Sequence, residues 1–448
     1  MSSILIKDAT IVNEGRTFKG DLLIKDELIS EIGCISLERI PAGAKIIDAR
    51  GLLILPGIID DQVHFREPGL THKGDILSES RAAAAGGVTS FMDMPNTIPQ
   101  TVSIDLLNEK YKTGAENSLV NYSFYIGGTN TNLNELLNAD PESVCGIKLF
   151  LGSSTGNMLV DNETVLKEIF SKSSLLIACH CEDEPTIKKN TEIYRQKYGE
   201  DVPVKFHPLI RNREACYITS LYAVRLAHEF NTRLHILHLS TADEVKLFDN
   251  SLSLAEKRIT GEVCIHHLWF EEADYERLGA SIKWNPSIKT KYDRDALIKG
   301  VNNDLIDIVA TDHAPHTIEE KSNTYFKSPS GGPLIQHSLA VMMEMYHQGL
   351  FSIEKIVEKM CHNPAILYRI KDRGFIREGY KADICLVDPA SSWTVSRDNL
   401  LYKCGWSPFE GTTFRSKVIK TIVNGTIVYD DGVINENYRG QRLMFHQK

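Results

Sequence analysis

Reactive side chains stand together just after one apolar run of this sequence. Residues 52–59 are followed, at alternate positions, by Gln62, His64 and Arg66. Alternate residues of an extended strand share one face, so these three side chains are predicted to point into one pocket. An imidazole can bind a metal, and a guanidinium is a forked donor that suits a carboxylate. The alternative for His64 is a structural histidine at a strand end.

Four later apolar runs also carry chemically capable residues, namely Lys148, His180, His238 and Asp312. Imidazoles and a carboxylate suit a divalent cation such as zinc, which activates a water molecule and polarises a carbonyl. An ammonium group cannot bind a metal, so Lys148 is either a salt-bridging residue or an amine that carbon dioxide has converted to a carbamate. A carbamate could bridge two metals about 3.5–4 Å apart. Burial on an apolar strand lowers the pKa of an amine and favours that reaction.

The elements that must position these residues alternate between strands and helices, which is typical of a parallel α/β fold. Eight strands are predicted, near residues 54–64, 88–94, 121–127, 146–151, 175–181, 234–239, 261–267 and 306–312. Helices are predicted at residues 76–85, 160–171, 214–230 and 242–248, and a Gly/Ser loop at residues 152–156. Eight strands indicate a (β/α)8 TIM barrel, whose active site lies at the carboxyl ends of the strands. The reactive residues fall at those ends.

Both ends of the chain have a different pattern. Short alternations of apolar and polar residues, separated by Gly and Asn, fill residues 1–52 and 378–448. Neither end has enough apolar faces to form a domain by itself. We therefore predict that residues 1–52 and 378–448 pair into one small β-sandwich, and that residues 53–377 form a metal-dependent hydrolase barrel.

Composition excludes several classes of protein. Fifty basic and 59 acidic residues give the 448-residue chain a net charge of −9, which argues against a general nucleic-acid or membrane surface. Nine cysteines, odd in number and scattered, indicate reduced thiols in a cytosolic protein. The N-terminus lacks the form of a signal peptide, and no apolar run approaches the ~20 residues of a membrane span. The sequence therefore predicts a cytoplasmic protein with a small-molecule ligand.

Six motifs stand out from the rest of the chain. They are Asp-x-x-x-His-Phe-Arg-Glu-Pro-Gly at residues 60–69, Ala-Ala-Ala-Ala-Gly-Gly-Val-Thr at 82–89, Met-Pro-Asn-Thr at 94–97, His-Leu-Ser-Thr at 238–241, Asn-Pro at 285–286 and Thr-Asp-His-Ala-Pro-His at 311–316. Together they resemble the class I dihydroorotases of the amidohydrolase superfamily, over nearly the whole chain. The resemblance implies a barrel with a terminal β-sandwich. It also implies zinc-dependent, reversible conversion of N-carbamoyl-L-aspartate to (S)-dihydroorotate and water in pyrimidine biosynthesis.

The same resemblance implies roles for individual residues. The implied metal ligands are His64, carboxylated Lys148, His180, His238 and Asp312, which would hold one or two zinc ions per chain. The implied substrate contacts are Arg66, Asn96, Asn285 and His316, and Asp312 is also the proton shuttle.

Gln62 departs from the family, which usually has a histidine at this position. We expect Gln62 to remain a ligand of the outer metal, although a neutral amide oxygen binds zinc less strongly than an imidazole does. The sequence therefore predicts unequal occupancy. One metal is held tightly by Lys148, His180 and His238, and a weaker one lies beside Gln62.

Other functions fit part of this pattern. Hydantoinases and allantoinases share the metal centre, but Arg66 and Asn96 favour a ring that carries a carboxylate. In a third interpretation, Gln62 marks a non-catalytic scaffold for another pyrimidine enzyme, although the retained ligands favour an active enzyme. A homodimer and a transcarbamoylase partner stay open. Residues 317–332, rich in Ser, Lys and Gly, are predicted to be either a disordered surface loop or a flexible lid that contacts the ring amides.

Overall fold

A computed structural model of the protein describes residues 3–152 and 158–447, so most of the loop predicted at residues 152–156 lies outside the described residues. The described strands are β1 Ser3–Asn13, β2 Arg16–Lys25, β3 Leu28–Gly33, β4 Lys45–Asp48, β5 Leu53–Pro56, β6 Ile58–Val63, β7 Val88–Asp93, β8 Asn121–Phe124, β9 Ile126–Gly127, β10 Ile147–Phe150, β11 Ile177–His180, β12 Leu234–Ile236, β13 Ile259–Cys264, β14 Ile308–Ala310, β15 Ile384–Asp388, β16 Trp393–Thr394, β17 Thr413–Phe414, β18 Lys417–Val423, β19 Thr426–Asp430 and β20 Val433–Ile434.

The described α-helices are α1 Ile76–Ala85, α2 Ile104–Asn117, α3 Leu133–Asn138, α4 Glu163–Lys172, α5 Glu184–Tyr198, α6 His207–Ile210, α7 Arg213–Phe230, α8 Ala242–Val245, α9 Ile265–Trp269, α10 Tyr275–Leu278, α11 Lys291–Asn302, α12 Ile318–Lys321, α13 Ser338–His347, α14 Ile353–Val357 and α15 Asn363–Tyr368. Short 3₁₀ turns lie at Leu37–Arg39, Val204–Phe206, Glu272–Asp274, Gly279–Ile282, Ile335–His337 and Arg397–Asn399, and a π-helical turn at Glu358–His362 joins α14 to α15.

Parallel strands β6 to β14 form the barrel. One part is ordered β6-β7-β8 and the other β9-β10-β11-β12-β13-β14, and Tyr125 separates β8 from β9 within one extended stretch. The ring closes where Val63 bridges His313 and the His64 amide donates to the His313 carbonyl at 2.7 Å. Strands β6, β7, β10 and β11 are buried along their whole length, as expected of parallel strands covered by helices. The chain therefore has a mixed α/β fold of the TIM-barrel type.

Both termini enter one further sheet. Within the described residues it has nine strands in the order β20-β19-β18-β15-β5-β1-β2-β3, with β4 beside β1. The N-terminal strands meet the C-terminal ones where β5 pairs antiparallel with β15, from Leu53 opposite Val387 to Pro56 opposite Ile384. The predicted pairing of the two chain ends is thus present. The finer prediction, a sandwich of two facing sheets, stays a prediction.

The predicted strand at residues 54–64 is two strands in the structure. Strand β5 belongs to the terminal sheet and β6 to the barrel, with Gly57 between them. Its amide donates to the Asp383 carbonyl at 2.8 Å, and a Cβ at this position would lie 2.0 Å from Thr89 Oγ1. The passage into the barrel therefore lies at Gly57, because only glycine permits so close an approach.

Helices begin and end largely where the sequence predicts. Helix α7 begins after Asn212, whose side chain accepts from the Ala215 amide, and ends at Asn231 with a left-handed φ of 53°. The predicted strand over residues 261–267 is shorter in the structure, because β13 ends at Cys264 and His266 and His267 lie on α9. These two histidines are therefore not at a strand end.

Candidate active site

A cavity of about 740 Å³ opens at the carboxyl ends of the barrel strands. All of the residues singled out in the sequence line it: Gln62, His64, Arg66, Asn96, Lys148, His180, His238, Asn285, Asp312 and His316. They come from segments far apart in the chain, and the barrel fold brings them together around one cavity. The cavity also has contributions from the later segment Pro329, Ser330 and Gly331.

Two histidines face each other on one side of the cavity. His180 Nδ1 lies 3.0 Å from His238 Nε2. Burial lowers the pKa of both rings, so both are neutral and keep a lone pair for a cation. Two nitrogen ligands of a tetrahedral zinc ion, each about 2.0–2.1 Å from the metal, would stand at a similar separation. These two nitrogen atoms are therefore suitably placed to be two ligands of one metal ion.

Glu182 supports His180 from behind. Its Oε2 lies 3.1 Å from His180 Nε2, and its carboxylate forms a buried ion pair with Arg211. Burial opposes ionisation of Glu182, but the Arg211 charge, the His180 hydrogen bond and the Lys289 charge together outweigh it and lower the pKa of the carboxyl to about 2. A carboxylate behind a ligand histidine fixes its orientation and makes it a better donor. This role of Glu182 was not predicted, although Glu182 stands two residues after His180.

Lys148 is almost fully buried on β10. Burial lowers the pKa of its amine to about 8, and Nζ lies 4.8 Å from the centre of the Phe150 ring. Within residues 3–152 and 158–447, no carboxylate forms an ion pair with Nζ and no group accepts a hydrogen bond from it. The salt-bridging interpretation of Lys148 thus has no partner among these residues, and the amine has the properties that carbamate formation requires.

Asp312 contacts both Gln62 and His64. Its Oδ1 lies 3.2 Å from His64 Nε2 and accepts from Gln62 Nε2 at 3.1 Å. The Gln62 oxygen lies instead 3.7 Å from the Cys264 thiol. Gln62 therefore presents an N–H donor to Asp312, where a histidine would present a lone pair to a metal. Asp312 and His238 have left-handed backbones, with φ of 50° and 42°, which is uncommon for residues other than glycine.

A second group of residues forms a cationic recess. Arg66 Nη2 lies 3.0 Å from His316 Nε2, and Lys73 Nζ lies 3.1 Å from His316 Nδ1. Burial lowers the pKa of His316 well below its usual value, and the nearby Arg66, Lys73 and Lys321 charges lower it further. Arg66 is itself buried, which lowers its pKa to about 10. Lys73 pairs with Glu320 at 2.9 Å, whereas Arg66 has no carboxylate partner among the described residues. The buried Arg66 charge therefore favours an anionic ligand group.

Two amides complete the recess. Asn96 Oδ1 lies 2.7 Å from His64 Nδ1, which leaves the Asn96 amide nitrogen available as a donor. Asn285 Oδ1 is buried and has no hydrogen-bond partner among the described residues. A buried acceptor without a partner is costly, so a ligand that donates to it would bind favourably.

The segment at residues 317–332 is held against the cavity by buried side chains, and the flexible lid stays a prediction. Lys321 Nζ donates to the carbonyls of Gly331 at 2.8 Å and Pro329 at 2.9 Å, and Lys283 Nζ to those of Tyr325 at 2.7 Å and Ser328 at 2.5 Å. Burial lowers the pKa of Lys283 to about 7. The segment is thus fixed by two buried lysines and is not a disordered surface loop. These contacts hold Ser330 and Gly331 against the cavity.

Lys321→Met is expected to lower the free energy of unfolding by about 3 kcal/mol, because it leaves buried carbonyls without donors. Thermal and urea unfolding measure this loss. The matched control is Lys327→Met, which removes an exposed lysine of the same segment and should change stability little. Equal stability of the two variants would contradict the proposed fixing role of Lys321.

A further buried cluster lies within the barrel and was not predicted. His235 Nε2 stands 3.3 Å from Glu262 Oε2 and 3.4 Å from Asp61 Oδ2, and one ligand atom of each residue lies within 4.8 Å of the others. Burial opposes a charge on His235, but the two carboxyl groups outweigh it and raise its pKa to about 9. Glu262 Oε1 also accepts from the backbone amide of His238 at 3.1 Å. Burial and the Asp61 charge raise the pKa of Glu262 to about 8, so Glu262 is protonated and the Asp61 carboxylate balances the charge on His235. The cluster also supports the left-handed backbone of His238.

The amidohydrolase family profile matches residues 53–428 of this chain. The chain is 33% identical over 423 residues to a dihydroorotase of Methanosarcina acetivorans, which covers 92% of this chain and 89% of that protein. It is 32% identical to a dihydroorotase of Pyrococcus abyssi, with 96% of each chain covered.

Solved structures of hydantoinases have the same architecture. L-hydantoinase (dihydropyrimidinase) from Arthrobacter aurescens superposes with a TM-score of 0.92 at 26% identity, over 99% of this chain and 100% of that one. Dihydropyrimidinase from Brevibacillus agri superposes with a TM-score of 0.88 at 24% identity, over the full length of both chains, which supports the fold. Among the described residues, every helix is too short or too polar to span a bilayer.

Proposed function

Since this chain belongs to the amidohydrolase family, and to its dihydroorotase branch by 32–33% identity over more than nine-tenths of its length, we propose that it is a dihydroorotase. The reaction is the reversible conversion of N-carbamoyl-L-aspartate to (S)-dihydroorotate and water. The observation that carries the proposal is the recess of Arg66, Asn96 and His316 beside the candidate metal ligands. The Arg66 guanidinium offers two parallel N–H donors to a carboxylate. A dihydroorotate ring has this carboxylate, and an unsubstituted cyclic amide does not.

The donors present fit a zinc ion, which His180, His238 and a carbamate on Lys148 would hold. The neutral rings and the supporting Glu182 carboxylate favour this site. A second ion would be held by the same carbamate, His64 and Asp312. There the Gln62 amide donates to Asp312, so the second position fits less well. When bound, zinc would supply a nucleophilic water near neutral pH and polarise the amide carbonyl of the ring.

The protein's own residues would orient the substrate and move the proton. Arg66 and His316 donate to the ring carboxylate, and the Asn96 amide nitrogen adds a third donor. Asn285 Oδ1, without a partner in the described structure, would accept a ring N–H. Asp312 Oδ1, at hydrogen-bond distance from both Gln62 and His64, would take a proton from the attacking water and return it to the leaving nitrogen.

Hydantoinase activity is the second candidate, because the Arthrobacter hydantoinase shares the fold with a TM-score of 0.92. A hydantoin needs no carboxylate partner, so it leaves Arg66 without a role. A non-catalytic scaffold is the third. Turnover assays on dihydroorotate, hydantoin and allantoin, together with zinc quantitation, separate the three. We expect turnover of dihydroorotate at least a hundredfold above the other rings; zinc-free protein without turnover would support the scaffold.

Gln62→His is expected to raise the zinc content towards two ions per chain and to slow zinc loss to a chelator. The reason is that an imidazole nitrogen binds zinc more strongly than an amide group does. Zinc quantitation after mild chelation measures the effect. Anomalous diffraction on the chelated parent shows which position empties first. Loss of both ions together, or first from the His180–His238 side, would make this assignment of the weaker site wrong.

We further propose the division into residues 1–52, 53–377 and 378–448, with the terminal parts acting as one β-sandwich module beside the catalytic barrel. The nine cysteines are all free thiols, which supports a reducing compartment such as the cytoplasm.

A further inference from the structure

A second cavity, of about 310 Å³, lies at the opposite end of the barrel from the candidate active site. Its wall includes Val144, Leu176, Arg233 and Arg258, which precede strands β10, β11, β12 and β13. Residues that precede parallel barrel strands lie at the amino-terminal face, whereas catalytic residues lie at the carboxyl face. A ligand in this cavity would therefore be separated from the reacting groups by the length of the strands.

Three arginines, Arg233, Arg258 and Arg369, line this cavity and a small adjoining one. In the described ranges, none of the three forms an ion pair with a carboxylate. Burial lowers the pKa of Arg233 to about 10, and the charges of Arg369 and Arg258 lower it further. Burial and the Arg369 charge also lower the pKa of Arg258. The cavity thus concentrates positive charge that the described acidic residues do not neutralise.

The acidic residues on either side of the wall residue Pro141 have partners of their own. Asp140 accepts from the Ser143 hydroxyl at 2.7 Å. Glu142, which follows the wall residue Pro141, pairs with Lys371 at 3.6 Å. The arginines themselves donate to backbone carbonyls: Arg233 to Leu367, and Arg258 Nε to Asn231 at 3.1 Å. A guanidinium has five N–H donors, so these bonds use only part of each fork. Donors and charge therefore remain for a ligand.

The remaining wall has polar and apolar parts. Ser173 and Ser174 lie on one side, and Leu175, Leu176 and Phe445 form an apolar surface. A volume of about 310 Å³ is at the lower end of the range for small-molecule pockets, about 300–1,000 Å³. The cavity thus suits a compact ligand with an anionic head and an apolar body.

We propose that this arginine cavity binds a small organic phosphate, whose phosphoryl oxygens pair with Arg233, Arg258 and Arg369 and whose body packs on Leu176 and Phe445. A phosphate monoester carries about −1.5 to −2 charges at pH 7 and matches three guanidiniums better than a single carboxylate does. The proposed dihydroorotase reaction does not use this cavity. The binding site and the catalytic function can therefore be tested independently of each other.

Isothermal titration calorimetry with phenyl phosphate tests the proposal on the full-length protein, with the catalytic cavity saturated by dihydroorotate. Benzoate is the control ligand, because it has the same ring and a single negative charge. We expect one phenyl phosphate per chain and at least about tenfold weaker binding in both Arg258→Gln and Arg369→Gln, as for the loss of one charge-assisted hydrogen bond. Arg16→Gln, an exposed arginine of the terminal sheet, should bind like the parent.

A second pair of variants keeps the test independent of arginine packing. Ser174 is exposed at the cavity wall, so Ser174→Glu places a carboxylate beside the guanidiniums and Ser174→Gln is the neutral control of the same size. The glutamate should raise the melting temperature and abolish phenyl phosphate binding, and the glutamine should do neither. Absence of binding, equal binding of benzoate, or binding that survives in Ser174→Glu would overturn the proposal. Turnover of dihydroorotate should persist in every one of these variants.

Discussion

Lys148→Met is expected to lower kcat for dihydroorotate by about a thousandfold or more and to reduce the zinc content below one ion per chain. The side chain lies on β10 beside the His180–His238 edge, and its carbamate would be the ligand shared by both metal positions. Removing it leaves two neutral imidazoles on one side, which is too few ligands for a catalytic zinc site. Loss of the metal removes several kcal/mol of transition-state stabilisation. Steady-state kinetics and zinc quantitation measure the two effects.

The matched control is Lys359→Met, which removes another fully buried lysine. Lys359 pairs with Asp304 at 2.8 Å, far from the cavity residues in the fold, so this variant should lose stability but keep its zinc and its turnover. A Lys148→Met protein that retained two zinc ions and near-parental kcat would show that Lys148 is a structural residue. Carbamate formation itself is visible by ¹³C NMR of protein prepared with labelled bicarbonate.

Arg66→Lys is expected to lower kcat/KM for dihydroorotate by about tenfold to a hundredfold. Arg66 donates through Nε to the Pro315 carbonyl at 3.0 Å and turns Nη2 towards His316, so its fork is already oriented by the protein. A lysine keeps the charge but loses the two parallel donors and the anchoring bond. A charge-assisted hydrogen bond is worth about 1.5–3 kcal/mol, which corresponds to this range. If residue 66 binds the carboxylate equally strongly in the ground and transition states, most of the decrease in kcat/KM should come from a higher KM.

Two comparisons make the Arg66 result specific. Arg81→Lys makes the same exchange at a surface arginine, paired with Glu436 at 2.8 Å, and should leave kinetics unchanged. Any residual hydrolysis of hydantoin, whose ring has no carboxylate, should respond less to Arg66→Lys than dihydroorotate turnover does. If dihydroorotate turnover were the same in Arg66→Lys as in the parent, the carboxylate recess would be wrongly assigned.

Much of the fold could be predicted because its strands and helices are locally encoded. The strands β6, β7, β10 and β11 are buried throughout, as parallel strands covered on both faces are. Where the prediction failed, long-range pairing decided the outcome. Strand β5 looks like the start of β6, but β1 and β15 pair with it, and Gly57 separates the two strands.

The sequence by itself indicated that the reactive residues at the strand ends meet in the candidate active site, since every parallel barrel strand presents its carboxyl end to the same face. It could not determine the directions of side chains, which depend on packing against distant segments. Only the tertiary structure placed Glu182 behind His180, turned the Gln62 amide nitrogen towards Asp312, and fixed residues 317–332 through two buried lysines.

The three arginines of the second cavity, separated by up to 136 positions in the chain, likewise come together only when the strands close into a barrel. The local pattern of apolar and polar residues indicates which positions are buried and whether a segment is a helix or a strand. These contacts depend instead on hydrogen bonds and charges between groups that only the folded chain brings within reach.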